Sequence, residues 1–147
     1  MSTTFAQLAS QMCLRFGFAR IAPTKQNELA IVTWAAYEGS NAWCNALDDT
    51  QPMPGSWPLK GNTAHVQNYT SVSESLDAYL ITLGGHNWGY PAIMAALAKG
   101  DCACEVTEAV ANSEWGTWFH NPKAAVEAVG RVNADFSAYA NRVVVGS

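Results

Sequence analysis

The segment from Lys25 to Glu38 limits the possible folds more than any other stretch of the chain. Thr24 stands where a helix N-cap belongs, and Gly39 supplies the residue type that most often ends a helix. Between them Leu29, Val32, Ala36 and Tyr37 make one apolar or small face, while Ile31, Trp34 and Ala35 make another. A helix apolar on both faces has no side to show to water, so other elements must be built around it. A chain of 147 residues, 49% hydrophobic and 14% charged, has the material for one such core and is globular in composition.

No internal repeat, low-complexity run or linker divides residues 1–147, so one domain is expected. Thr3 or Thr4 caps a first helix over roughly 5–16. From Ser40 to Asn68 the periodicity vanishes among Pro52, Pro54, Pro58, Gly55 and Gly61, which predicts loops with one or two short strands. Alternation over His65–Tyr69 marks one of them. Ser71 and Glu74 read as a capping box opening a helix to Leu83, with Val72, Leu76, Tyr79, Leu80 and Leu83 as its core stripe. Pro91 opens another helix that stops at Gly100, and Asp101 caps a short one to Asn112. Pro122 starts the last, with Val126, Val129, Phe136, Tyr139 and Val143 facing inward. Six helices around one irregular insertion with short strands make the class mainly α, or α+β with helix dominating.

Charge and composition exclude several functions. Net charge is −4, and Lys25, Lys60, Lys99 and Lys123 are scattered singly, so no surface is expected to track nucleic acid. No run of 18 apolar residues exists, so no membrane insertion is expected. Met1–Ala9 lacks the basic and apolar regions of a signal peptide, which points to synthesis in a cytoplasm. Cys102 and Cys104 are two apart, the spacing of neither a zinc knuckle nor a thioredoxin pair. All four cysteines, with Cys13 and Cys44, read as free and partly buried, a disulfide remaining open. His65, His86 and His120 are too dispersed to suggest a metal, and no cofactor motif is present.

Glu38 is the most informative single residue. It follows Trp34 by one turn and Ile31 by two, at the end of the helix expected to be buried. The C-terminal helix dipole disfavours its anion by about 0.3–1 kcal/mol, less than about one pKa unit, so desolvation must supply most of any shift. A raised pKa suits a general acid; a last-turn Glu reaching solvent or an Arg is the plainer alternative. Asp48 and Asp49 follow ten and eleven residues later, beside Thr50, and a loop returning either to Glu38 would give two carboxyls across a cleft. Such pairs hydrolyse glycosides, one as acid and one as base, nucleophile or charge stabiliser. A turn or helix cap is the simpler use of Asp48 and Asp49.

The run Trp34–Ser40, followed by Asn45–Gln51, resembles a branch of the lysozyme-like superfamily found in phage lysins and tail-associated muralytic domains. In that branch a helix ends in Glu-Gly and a segment like Asn-Pro-Leu-x-Thr-Thr follows. Val66–Ser71 leading into Glu74–Leu76, Tyr90–Ile93 leading to Lys99–Asp101, and Ser113–Thr117 extend the resemblance over roughly residues 28–118. It implies a bacteriolytic glycosidase, a muramidase or lytic transglycosylase, degrading the β-1,4 backbone of cell-wall peptidoglycan. Glu38 carries over as its catalytic acid, and Thr50, Gln51 and Tyr69 as cleft residues. The chain departs at Ala46, where that branch tends to Pro, and at Asp49, where it tends to Thr. A single-Glu and a two-carboxylate mechanism therefore both stay open. The implied product is made in a host cytoplasm and acts on the wall, free, joined to other modules, or beside virion tail proteins.

Six tryptophans suit a sugar cleft, since indole faces stack on pyranose rings. Trp43, Trp57 and Trp115 fall in segments expected near it, whereas Trp34 reads as core. Two other functions compete: a non-catalytic wall-binding or virion structural domain, and a Cys/His amidase or peptidase using Cys44 with His65 or His86. Cys44 follows a helix end, the wrong place to stabilise a thiolate. Because no ligand cluster has a metal's spacing, EDTA is expected to leave both lytic activity and melting temperature unchanged.

Overall fold

The computed structural model describes residues 1–85, 90–115, 119 and 121–147. Helices α1 (Phe5–Arg15) and α2 (Lys25–Glu38) lead into a two-stranded hairpin, β1 (Trp57–Pro58) and β2 (Gln67–Asn68). Then follow α3 (Val72–Gly84), α4 (Pro91–Lys99), α5 (Ala103–Ala111), α6 (Pro122–Ala134) and α7 (Phe136–Ala140). The class is mainly helical with one small antiparallel sheet, in register Trp57–Asn68 and Pro58–Gln67. No helix among the described residues is long and apolar enough to cross a membrane.

α2 is the axis of the molecule. It packs against α1, α5, α6 and α7, and both of its apolar faces are buried, from Leu29 and Val32 to Ile31, Trp34 and Ala35. Its ends are where the sequence places them. Thr24 Oγ1 accepts from Asn27 N at 3.1 Å and donates to Gly100 O at 3.2 Å, while Gly39 closes the other end at φ 58°. Thr24 therefore caps one helix and ties down the end of another. α1 has a full capping box between Thr4 and Gln7, and Arg15 at its end pairs with Asp77 of α3.

Several local expectations need correction. The capping box at Ser71 is half formed: Ser71 Oγ accepts from Glu74 N, but the Glu74 carboxylate bonds Thr70 instead. Cys102, not Asp101, is the N-cap of α5, and it is disulfide-bonded to Cys104, leaving Cys13 and Cys44 as the free thiols. The strand expected over 65–69 shrinks to Gln67–Asn68. The expected last helix is two, broken at Asp135, so there are seven among the described residues. Its inner side is Ala125, Ala128, Val132 and Ala140; Val126 and Val143 are exposed. Small side chains let α6 approach α5 closely, as the bond from Thr107 Oγ1 to Ala125 O at 3.5 Å records, and the break at Asp135 resets the helical phase.

Thr24→Ala removes the α2 cap and the tie to α4 together. It is expected to cost about 1–2 kcal/mol, a fall of ~2–4 °C in melting temperature per kcal/mol, whereas Thr24→Ser retains most of the stability. Thermal melts of both variants check this.

Candidate active site

A cleft of about 420 Å³ opens at the C-terminal end of α2. Glu38 lines it, with Asp48, Asp49 and Thr50 from the following loop and Thr82 from α3. Asn62, Ala64 and Val66 of the hairpin line it as well, and so do Tyr90, Glu114 and Trp115.

Glu38 is only 6% exposed, because the helix that carries it is buried up to its last turn. Loss of water pushes its carboxyl up to about 8, the nearby Asp48 carboxylate adds to the rise, and the Trp34 indole opposes it. That indole N–H donates to Glu38 Oε1 at 3.2 Å. Trp34 meets Trp115 edge to face at 4.9 Å between centroids, and Tyr90 meets Trp115 at 5.4 Å. The Trp115 indole N–H donates to Leu47 O at 2.7 Å, so an aromatic cluster ties the acid to the loop opposite.

Asp48 and Asp49 are chain neighbours with different surroundings. Asp49 is buried; Thr82 Oγ1 donates to its carboxylate at 2.9 Å and Gln51 N at 3.0 Å. Burial lifts its pKa to about 6, against the pull of those donors. Asp48 is half-buried at φ 55°, a left-handed conformation that Asp tolerates better than most residues. Burial raises its pKa too, and Ser40 is the hydrogen-bonding side chain that lowers it. Asp49 is thus clasped by its own loop and α3, while Asp48 is the carboxylate whose charge bears on Glu38.

The loop has little regular structure, so side chains satisfy its backbone. Asn45, fully buried, donates through Nδ2 to Asp49 O at 2.9 Å and Gln67 O at 2.7 Å. Its Oδ1 accepts from Asp49 N at 3.0 Å and the Tyr79 hydroxyl at 3.1 Å. One amide joins the carboxylate loop, the hairpin and α3.

The cleft brings together Glu38, Asp48, Asp49, Thr50 and Trp115, as expected of cleft residues. The other expected binding residues fall elsewhere. Tyr69 is fully buried and its hydroxyl donates to Gln51 O at 2.8 Å, so it supports the loop from beneath. Gln51 turns its amide to Pro52 O. Trp43 is exposed against Gly146, and Trp57 is exposed on β1; neither is among the described lining residues. Both sit on the hairpin side, where sequence nearness to Asp48 does not translate into facing the cleft.

Tyr90, Glu114 and Thr82 were not singled out as site residues by sequence. Glu114 had one signal, its place directly before Trp115, and Thr82 had another, a hydroxyl beside the α3 core stripe. Cys44 is buried, and desolvation, with Glu74 as a lesser cause, raises its pKa, so it is a poor thiolate. His65 is exposed; His86, His120, Gly116 and Thr117 lie outside the described residues. No group of three or more possible metal ligands occurs among the described residues.

No protein-family model, curated protein or solved structure matches this chain. The functional argument rests on the cleft itself.

Asn45→Ala removes four buried partners at once. It is expected to cost about 3–5 kcal/mol, since each orphaned buried group costs roughly 1–3 kcal/mol. A fall of ~10 °C or more in melting temperature, with Asn41→Ala on the exposed surface as control, checks it.

Proposed function

We propose that the chain cleaves the β-1,4 glycan backbone of peptidoglycan, as a muramidase or lytic transglycosylase of lysozyme-like type, with Glu38 as general acid. One observation carries this reading: Glu38, only 6% exposed, lines an open cleft together with Asp48 and Asp49, and that burial lifts its pKa to about 8. A group with that pKa is protonated at neutral pH and still acidic enough to give the proton up.

Glu38 donates its proton to the glycosidic oxygen as the bond to the anomeric carbon breaks. Positive charge then develops on the ring, and the Asp48 carboxylate that lines the same cleft is placed to stabilise it. A water, or the sugar's own 6-hydroxyl, attacks that carbon and returns a proton to Glu38. Asp49 acts at one remove, holding the loop that carries Asp48. Tyr90 and Trp115 offer aromatic surface to sugar rings.

Glu38→Gln retains the shape and removes the proton, so activity on purified sacculi is expected to fall by ~10²–10⁴-fold. Parent activity is expected to decline as pH rises through about 8, where Glu38 ionises. Because Glu38 holds its proton more tightly folded than unfolded, its contribution to stability is full below about pH 4.5 and is lost as pH rises through about 8. Glu38→Gln is therefore expected to raise the melting temperature at pH 8 and leave it unchanged near pH 4. Mass spectrometry of the digest separates the two reactions: anhydro-sugar ends for a transglycosylase, reducing ends for a hydrolase. Near-parent cleavage by a folded Glu38→Gln protein would sink the mechanism. Glycan binding without cleavage by the parent would make this a wall-binding domain.

A further inference from the structure

A second cavity, of about 390 Å³, opens beside the cleft and shares Tyr90 and Glu114 with it. Pro91, Ala92 and Ile93 from the first turn of α4 line one wall, and Ala109 from the end of α5 lines the other. These residues give it apolar lining, and Asn112 and Ser113 add polar side chains to it. Glu114 stands exposed at the junction of the two spaces. The carbonyl end of α5, closing at Asn112, adds partial negative charge at the same rim. Apolar walls with a carboxylate at the mouth suit the converse ligand, an alkyl chain that carries an ammonium.

Peptidoglycan offers that chemistry beside its glycan, because its stem peptides include a diamino acid whose side-chain amine is free until it is cross-linked. Building on the glycan-cleaving reading above, the geometry points to a side pocket that holds this alkylammonium chain while the sugar backbone occupies the main cleft. Glu114 pairs with the charged amine. A cross-linked amine is a neutral amide and loses that pairing, so the pocket selects strands whose peptides are not yet joined. Placing this contact where cleft and pocket meet also sets the register of the strand over Glu38.

The test compares initial rates on three glycan preparations: strands with free-amine stem peptides, the same strands after acetylation of the amines, and bare strands freed of peptides by an amidase. The parent is expected to cleave the first about two- to fivefold faster than the other two, the scale of one exposed ion pair. Ala92→Phe, substituted at an exposed wall position, fills the cavity and is expected to bring the ratio close to one. Equal parent rates on all three, or a preference that survives acetylation, would overturn the pocket. Faster cleavage of bare strands carrying de-N-acetylated sugars, abolished by acetylation, would assign the amine to the sugar and overturn the peptide assignment.

A binding measurement separates this proposal from the glycosidase reading. A synthetic stem tripeptide with a blocked N-terminus and ending in lysine, followed by indole fluorescence, is expected to bind the parent about two- to fivefold more tightly than its side-chain-acetylated form. Ala92→Phe is expected to abolish the difference. That pattern in a protein that cuts no glycan supports the pocket and removes the glycosidase. Cleavage with no amine-dependent binding or rate does the reverse.

Discussion

A helix enclosed on every side carries its last polar residue into the interior with it. α2 is that helix, and Glu38 is that residue: a carboxyl 6% exposed, with one indole N–H as its hydrogen-bonding side chain. The packing around α2 by α1, α5, α6 and α7 therefore creates the unusual proton affinity of Glu38. The same burial costs stability once the pH exceeds that of an ordinary carboxyl, because only the folded state resists ionisation. Core and chemistry are in tension at this one position, the usual relation between a buried acid and the fold that buries it.

The opposite wall solves a different problem. Residues 40–56 contain no helix or strand, yet Asn45, Ala46, Leu47 and Asp49 are all buried there. Buried irregular backbone requires partners from elsewhere. Asn45 serves both polar groups of Asp49 and the carbonyl of Gln67, Tyr79 serves Asn45, and Thr82 and Gln51 serve the Asp49 carboxylate. This mesh makes a loop as well placed as a strand. It also explains how two adjacent aspartates that line one cleft differ: the mesh holds Asp49 by Thr82 and Gln51, while Asp48 takes a positive φ and is half-buried. The two carboxyls thus sit in unlike surroundings, and burial raises the pKa of each against different donors.

How much of this was legible beforehand varies with the range of the interaction. The bounds of α2, its two buried faces, its caps at Thr24 and Gly39, and the loop-rich insertion were all readable, because capping and periodicity act within a few residues. Glu38 as a buried acid was one of two readings, the other being a last-turn Glu reaching solvent, and the structure buries it. The cleft walls were readable only in part: Asp48, Asp49, Thr50 and Trp115 line it. Tyr69 and Trp43 lie close in sequence to the site, yet one sits beneath the loop and the other against Gly146. Glu114, Tyr90 and Thr82 arrive from α3 and from turns far along the chain.

The sequence by itself determined the class, the central helix and the acid at its end, because hydrophobic period and caps are local and strong. Only the tertiary structure decided that Tyr90 rather than Trp43 or Trp57 joins Trp115 at the cleft, how differently the two aspartates are held, where the last helix breaks and that Cys102 joins Cys104. The cleft lining depends on contacts between segments tens of residues apart, and the two local outcomes, the break at Asp135 and the Cys102–Cys104 bond, on backbone geometry that the fold imposes there. Spacing along a chain carries no record of either.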